Sequence, residues 1–167
     1  MKRTFPWLLA LAFCLCACSR HPQKLLVPSL PLRQSADYLI EASGRQFAIH
    51  FDIKAYNDIE LVFLQPKELS GLKLCYNNYK LSISYNSITI ERDLTEFTNK
   101  AVILNLIYFF EDALYSQKIS AAKSDGEWIF KSGPECRLDF EFRFNETTHL
   151  IESFSLLNSS ISGRLIH

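Results

Sequence analysis

From Asp37 onward the chain alternates apolar and polar side chains with period two, the spacing of strands that turn one face to a core and the other to water. Phe47, Ile49, Phe51 and Ile53 share one face, with Gln46, Ala48, His50 and Asp52 on the other. Ile59, Leu61 and Phe63 repeat the pattern, as do Leu81, Ile83 and Tyr85, and then Ile88 and Ile90. Late in the chain Cys136, Leu138, Phe140, Phe142 and Phe144 alternate with Arg137, Asp139, Glu141 and Arg143, which predicts a strand with one apolar and one charged face. Ser43-Gly44, Asn77-Asn78, Asp125-Gly126 and Asn145-Glu146 supply turns between these runs. Gly44, Gly71, Gly126, Gly133, Pro66 and Pro134 also fall between strands and interrupt none of them. Short strands joined by short turns predict an antiparallel meander.

Between about residues 98 and 118 the period changes. Ile103, Leu106, Ile107, Phe110 and Leu114 fall at helical spacing, and Val102, Leu104 and Phe109 extend the apolar surface around most of the helix. Thr98 is the expected N-cap. The apolar stretch Val102–Phe110 is too short to span a bilayer and is followed by Glu111 and Asp112. A helix apolar on most sides needs burial on most sides. The expected fold is therefore mainly β within the α+β class: a curved antiparallel sheet, or incomplete β-barrel, of about 8–10 strands wrapped around one helix. A flat sheet with the helix on one face is the alternative.

The N-terminus reads as a targeting segment. Lys2 and Arg3 precede an apolar run from Trp7 to Ala17, shorter than the roughly 20 residues of a spanning helix. It ends Leu15-Cys16-Ala17-Cys18, which resembles a bacterial lipobox. That resemblance implies cleavage before Cys18 and acylation of that cysteine, giving a membrane anchor in the cell envelope. The expected organisation is a signal peptide over residues 1–17, a tether over 18–36 stiffened by Pro22, Pro28 and Pro31, and one domain over 37–167.

With 167 residues, 48% of them apolar, the chain can build one core. Its 18 basic and 18 acidic residues balance, so a broad cationic footprint for nucleic acid is not expected. Loss of residues 1–17 removes Lys2 and Arg3 and no acid, leaving 16 basic against 18 acidic groups, a net charge of −2.

Three stretches carry a family resemblance. They are Ile59-Glu60-Leu61-Val62-Phe63-Leu64-Gln65-Pro66, then Leu69-Ser70-Gly71-Leu72, and then Leu81-Ser82-Ile83-Ser84-Tyr85. They resemble a strand ending in proline, a Leu-x-Gly-Leu loop and a following strand of the lipoprotein-localisation carriers, the LolA/LolB-like superfamily. Phe142 to Ile151 is similar to that family's closing hairpin. The resemblance covers about residues 37–157 and implies an incomplete barrel closing over helices, with a cavity for acyl chains. The chain lacks the family's long N-terminal helix with a tryptophan near its start.

Catalytic patterns fail on spacing. Ser70-Gly-Leu-Lys73 and Ser120-Ala-Ala-Lys123 match Ser-x-x-Lys, and Lys131-Ser132-Gly133 mimics Lys-Thr-Gly. Lys131 follows Lys123 too closely for the domain that such enzymes place between these elements. His50 and Asp52 share a polar strand face and read as a surface pair. No metal site and no cofactor are expected. Cys75 and Cys136 are either a disulfide pair or two separate thiols. Phe47, Phe51, Phe63, Ile103, Ile107, Phe110, Phe140 and Phe142 are the candidates to line an apolar cavity or to fill the core. The expectation is a noncatalytic envelope lipoprotein. It holds a lipid, a lipoprotein acyl chain or another apolar ligand on the concave face; alternatively it is an interaction or scaffold protein with a filled interior. The membrane, through the acyl anchor, is its expected partner.

Overall fold

A computed structural model describes residues 27–97 and 101–166. The signal segment, Cys18, the first half of the tether and Thr98 lie outside the described residues. The strands, in chain order, are β1 (Gln34–Ala42), β2 (Arg45–Ala55), β3 (Asp58–Gln65), β4 (Lys73–Asn77), β5 (Lys80–Tyr85) and β6 (Ile88–Asp93), followed after the helix by β7 (Ser120–Ser124), β8 (Glu127–Lys131), β9 (Phe140–Asn145), β10 (Leu150–Leu156) and β11 (Ile161–Leu165). The helix α1 (Val102–Tyr115) stands between β6 and β7.

Among the described residues the eleven strands form one antiparallel sheet in the order β6-β5-β4-β3-β2-β1-β11-β10-β9-β8-β7. The chain runs as a meander from β1 out to one edge at β6. It crosses through α1 to the other edge at β7 and returns as a second meander to β11. The two halves join where β11 pairs with β1, from Tyr38 opposite Leu165 to Ala42 opposite Ile161. The sheet is not closed into a barrel, and a curved sheet around one helix describes it.

The local chemistry accounts for the turns. Ser43 and Gly44, and again Asp125 and Gly126, have positive φ at both residues, the geometry that joins two strands through a two-residue turn. The β4–β5 turn uses Asn78 and Tyr79, one residue later than the Asn77-Asn78 expected.

Helix α1 is apolar around most of its circumference because both halves of the sheet pack against it. Phe109 stacks on Phe154 with ring centroids 4.3 Å apart and meets Phe140 edge-on at 5.2 Å, both from the second meander. Its neighbour Phe110 reaches the first meander, 4.8 Å from Phe51 and 5.8 Å from Tyr38, and also meets Phe154 of the second edge-on at 5.7 Å. Such aromatic pairs contribute about 0.5–1.5 kcal/mol each beyond the area they bury. Ten of the fourteen residues of α1 are buried.

Several expectations differ from the structure. Among the described residues there are eleven strands rather than about 8–10; β7 carries no alternating apolar residues to reveal it, reading Ser-Ala-Ala-Lys-Ser. Strand β1 starts at Gln34, inside the expected tether, because Gln34 is buried and its amide donates to the Tyr38 hydroxyl. Tyr38 in turn donates to the Ile151 carbonyl at 2.7 Å, tying β1 to β10. Helix α1 begins at Val102 with no side-chain cap and ends at Tyr115, within the expected span. Ile88 and Ile90 are exposed because β6 is an edge strand with no exposed-to-buried alternation. His50 pairs with Asp37 at 2.5 Å, its direct cross-strand neighbour on β1, rather than with Asp52 two residues along its own strand.

Gly163 of β11 shows how close the two meanders approach. A Cβ there would overlap the ring of Phe154 and crowd the δ-carbon of Ile40. Gly163→Ala is expected to lower stability by about 1–3 kcal/mol through overpacking, measured by urea denaturation; an unchanged midpoint would show that the β1–β11 seam is looser than described.

Candidate ligand site beside the central helix

Two carboxylates in the last turns of α1, Glu111 and Asp112, are buried. Both lie toward the negative end of the helix dipole, where a carboxylate is disfavoured. Arg137 compensates from the loop between β8 and β9. Its Nη1 donates to Glu111 Oε2 at 2.8 Å, and its Nε and Nη2 donate side-on to Asp112 Oδ1 at 3.0 and 2.7 Å. The backbone N–H of Arg137 donates to Asp112 Oδ2 at 2.8 Å, and its guanidinium lies over the Tyr108 ring at 4.3 Å. The other oxygen of Glu111 accepts from the Asn57 backbone N–H at 3.2 Å, in the turn between β2 and β3. Glu111 therefore touches both halves of the sheet.

Alternation along the sequence places Arg137 on a solvent-facing strand. The structure corrects this: Cys136 to Asp139 leave the sheet, β9 starts at Phe140, and the loop folds Arg137 onto α1. Burial pushes the Glu111 carboxyl above the ordinary carboxylate value, against the pull of Arg137 and the Asn57 amide. Burial also opposes the charge on Arg137, but the hydrogen bonds to Asp112 and Glu111 outweigh it and raise its pKa.

The aromatic residues named from sequence occupy the interior. Phe51, Ile107, Phe110, Phe140 and Phe142 are at most 1% exposed, and Phe63 is buried. Phe47 and Ile103 are partly buried against the same core, with Phe47 edge-on to Phe63 at 6.0 Å. These rings pack on one another and on α1.

A pocket of about 320 Å³ opens beside the first half of α1. Leu138, Leu156 and Cys136 give it apolar wall, and Asn105, Asn158 and Ser159 give it polar wall. Arg137 and Asp139 line it as well. None of the eight aromatic and aliphatic candidates lines it, and of the residues singled out from sequence as sites only Cys136 does. The signal that could have pointed here was Asn105, a polar residue inside an otherwise apolar helical run.

Cys75 and Cys136 are free thiols in the structure. Cys75 faces Glu60 at 3.9 Å, and Cys136 faces Ser116 at 3.9 Å near the end of α1. No described helix is long and apolar enough to cross a membrane.

No protein-family model matches this chain, and no curated protein matches it. Among solved structures it is similar to an uncharacterized conserved protein of Thermus thermophilus, with a TM-score of 0.47 and 7% identity over 79% of this chain and 74% of that one. It is also similar to a LolA-superfamily protein of Nitrosomonas europaea, with a TM-score of 0.36 and 11% identity over 84% of this chain and 69% of that one.

Removing the guanidinium would leave Glu111 and Asp112 buried without their cationic partner. Arg137→Met is expected to cost about 3–5 kcal/mol near neutral pH. The folded pKa of Glu111 lies above its unfolded value, so its contribution to stability is fullest at low pH and is lost as pH rises through the folded value. Without Arg137 that loss grows. The deficit of the variant should therefore shrink as pH falls toward the ordinary carboxylate range, followed by urea denaturation across pH. A deficit independent of pH would contradict the reading that the variant strands buried carboxylate charge beside α1.

Proposed function

We propose that this chain is a noncatalytic lipoprotein of the cell envelope, anchored through an acylated Cys18, whose incomplete barrel binds an apolar or amphiphilic ligand beside its central helix. The observation that carries this reading is the pocket of about 320 Å³ against Asn105 and Leu156, at the lower end of the roughly 300–1,000 Å³ usual for small-molecule sites. The lipobox motif and the strand–loop–strand resemblance to the lipoprotein-localisation carriers support it from the sequence side. The rest of the interior is occupied. A long acyl chain entering there would have to displace part of α1, and uncovering each buried Leu, Ile or Phe costs about 1.5–3 kcal/mol.

A second reading is favoured by that filled interior together with the exposed Tyr79, Tyr85, Ile88 and Ile90 near the free β6 edge. In it the domain is an interaction protein, and the edge side of the sheet meets a protein partner.

The two readings separate on what copurifies. Residues 19–167, which carry all eleven described strands and α1, are expressed without the signal and measured by native mass spectrometry, followed by organic extraction. The first reading expects a stoichiometric lipid, or uptake of a fluorescent apolar probe on titration. A clean apo mass with no uptake would sink ligand binding and leave the edge-strand interaction.

A further inference from the structure

Strand β6 is an edge without the usual protection. Among the described residues it pairs on one side only, with β5. All of its residues are exposed, Ile88 at 66% and Ile90 at 48%. Edge strands are ordinarily blunted by lysine, proline or a bulge. Strand β6 reads Ile-Thr-Ile-Glu-Arg-Asp and pairs with β5 without a register shift, whereas β7, at the opposite edge, carries Lys123. The isoleucines lie on the core face of the sheet. Ile90 stands opposite Ile83, Ile83 opposite Leu74, and Leu74 opposite Leu61. One apolar row thus runs out of the buried core and stops at the edge.

The backbone and the charges decide what this edge fits. Asn86 and Ser87 both have positive φ and form a two-residue turn, so the flanking Tyr85 and Ile88 hydrogen-bond to each other. The Leu94 N–H likewise points inward, to the Tyr79 carbonyl at 2.9 Å. By alternation the N–H and C=O groups of Thr89, Glu91 and Asp93 face outward. Two copies of one strand pair antiparallel about a two-fold axis, which sets one residue opposite itself. Centring that axis on Glu91, Arg92 or Asp93 brings like charges directly opposite, which is destabilising. Centring it on Thr89 aligns only residues 88–90 of β6. Centring it on Ile90 aligns residues 88–92, with Ile90 opposite itself, Thr89 opposite Glu91 and Ile88 opposite Arg92. Thr89 and Glu91 are the outward-facing residues, so each such pair exchanges backbone hydrogen bonds in both directions. Ile90 then occupies a non-hydrogen-bonded position, where opposed side chains come closest. The two Glu91 side chains become diagonal neighbours, and each is already neutralised by Lys80 at 2.9 Å.

We propose that β6 is a self-pairing edge, through which two copies of this chain join their sheets antiparallel with Ile90 at the two-fold axis. The inference rests on the edge-interaction reading above and names its partner as a second copy. The test is sedimentation of residues 19–167 over a concentration series reaching about 1 mM, for the unaltered protein, Ile90→Lys and Ile90→Glu. Thermal melts check folding, and neither variant is expected to melt early, because position 90 is half-exposed on an edge. The expected result is a dimer that either variant alone weakens by about tenfold or more, since each sets like charges opposite at the axis. An equimolar mixture of the two variants sets Lys opposite Glu and is expected to restore the dimer, which a merely misfolded variant would not do. An unaltered protein that stays monomeric overturns self-pairing and leaves the edge to a different protein. A dimer that neither variant weakens overturns the β6 assignment, because the copies then meet on another surface. Weakened variants that the mixture fails to rescue overturn the register centred on Ile90.

Discussion

The structure depends on one side chain that touches both halves of an open sheet. Glu111 accepts from Asn57 in the first meander and from Arg137 in the loop of the second. Apart from the β1–β11 seam, this carboxylate is where α1 links the two halves by polar contacts. A buried charge is costly, and here it is tolerated because Arg137 satisfies it together with Asp112 and stacks on Tyr108. The directionality of those bonds fixes how far α1 slides along the sheet and how it is rotated. The phenylalanine contacts, which are less directional, would accept several rotations.

That fixed rotation determines what the rest of the helix presents. With Glu111 held between the halves, Phe109 meets Phe140 and Phe154, and Phe110 meets Phe51 and Tyr38. The same rotation turns Asn105, about 1.7 turns earlier, toward Leu156 and Ser159. The pocket and the clasp share Arg137, so the wall of the pocket is itself held by the ion pair. A protein built this way has a pocket of modest size beside α1 and keeps the rest of its core filled. This differs from the open acyl cavity that the family resemblance implies.

Much of the sheet was legible because one face of most strands is buried, and period-two alternation records that asymmetry in residues such as Phe47 to Ile53 and Phe140 to Phe144. Where the asymmetry vanishes, so does the signal. Strand β7 is short and mostly exposed, β6 lies at an edge, and β1 begins on a glutamine whose burial depends on a tyrosine four residues later. The helix was legible from its period, and its all-round apolarity pointed to a surrounding sheet. The clasp was not, because Arg137 sits in register with a genuine alternating run. Only the departure of Cys136 to Asp139 from the sheet brings it to Glu111, and that is a tertiary event.

The central claim is that α1 is a fixed part of the fold, locked across the two meanders. It is tested most directly by amide hydrogen exchange on residues 19–167. The account predicts that the amides of Leu106 to Leu114 exchange as slowly as those of β1 and β11, opening only when the whole domain unfolds. Exchange in α1 that is faster than in the central strands by orders of magnitude would contradict it, and would make the helix a movable cover over the concave face.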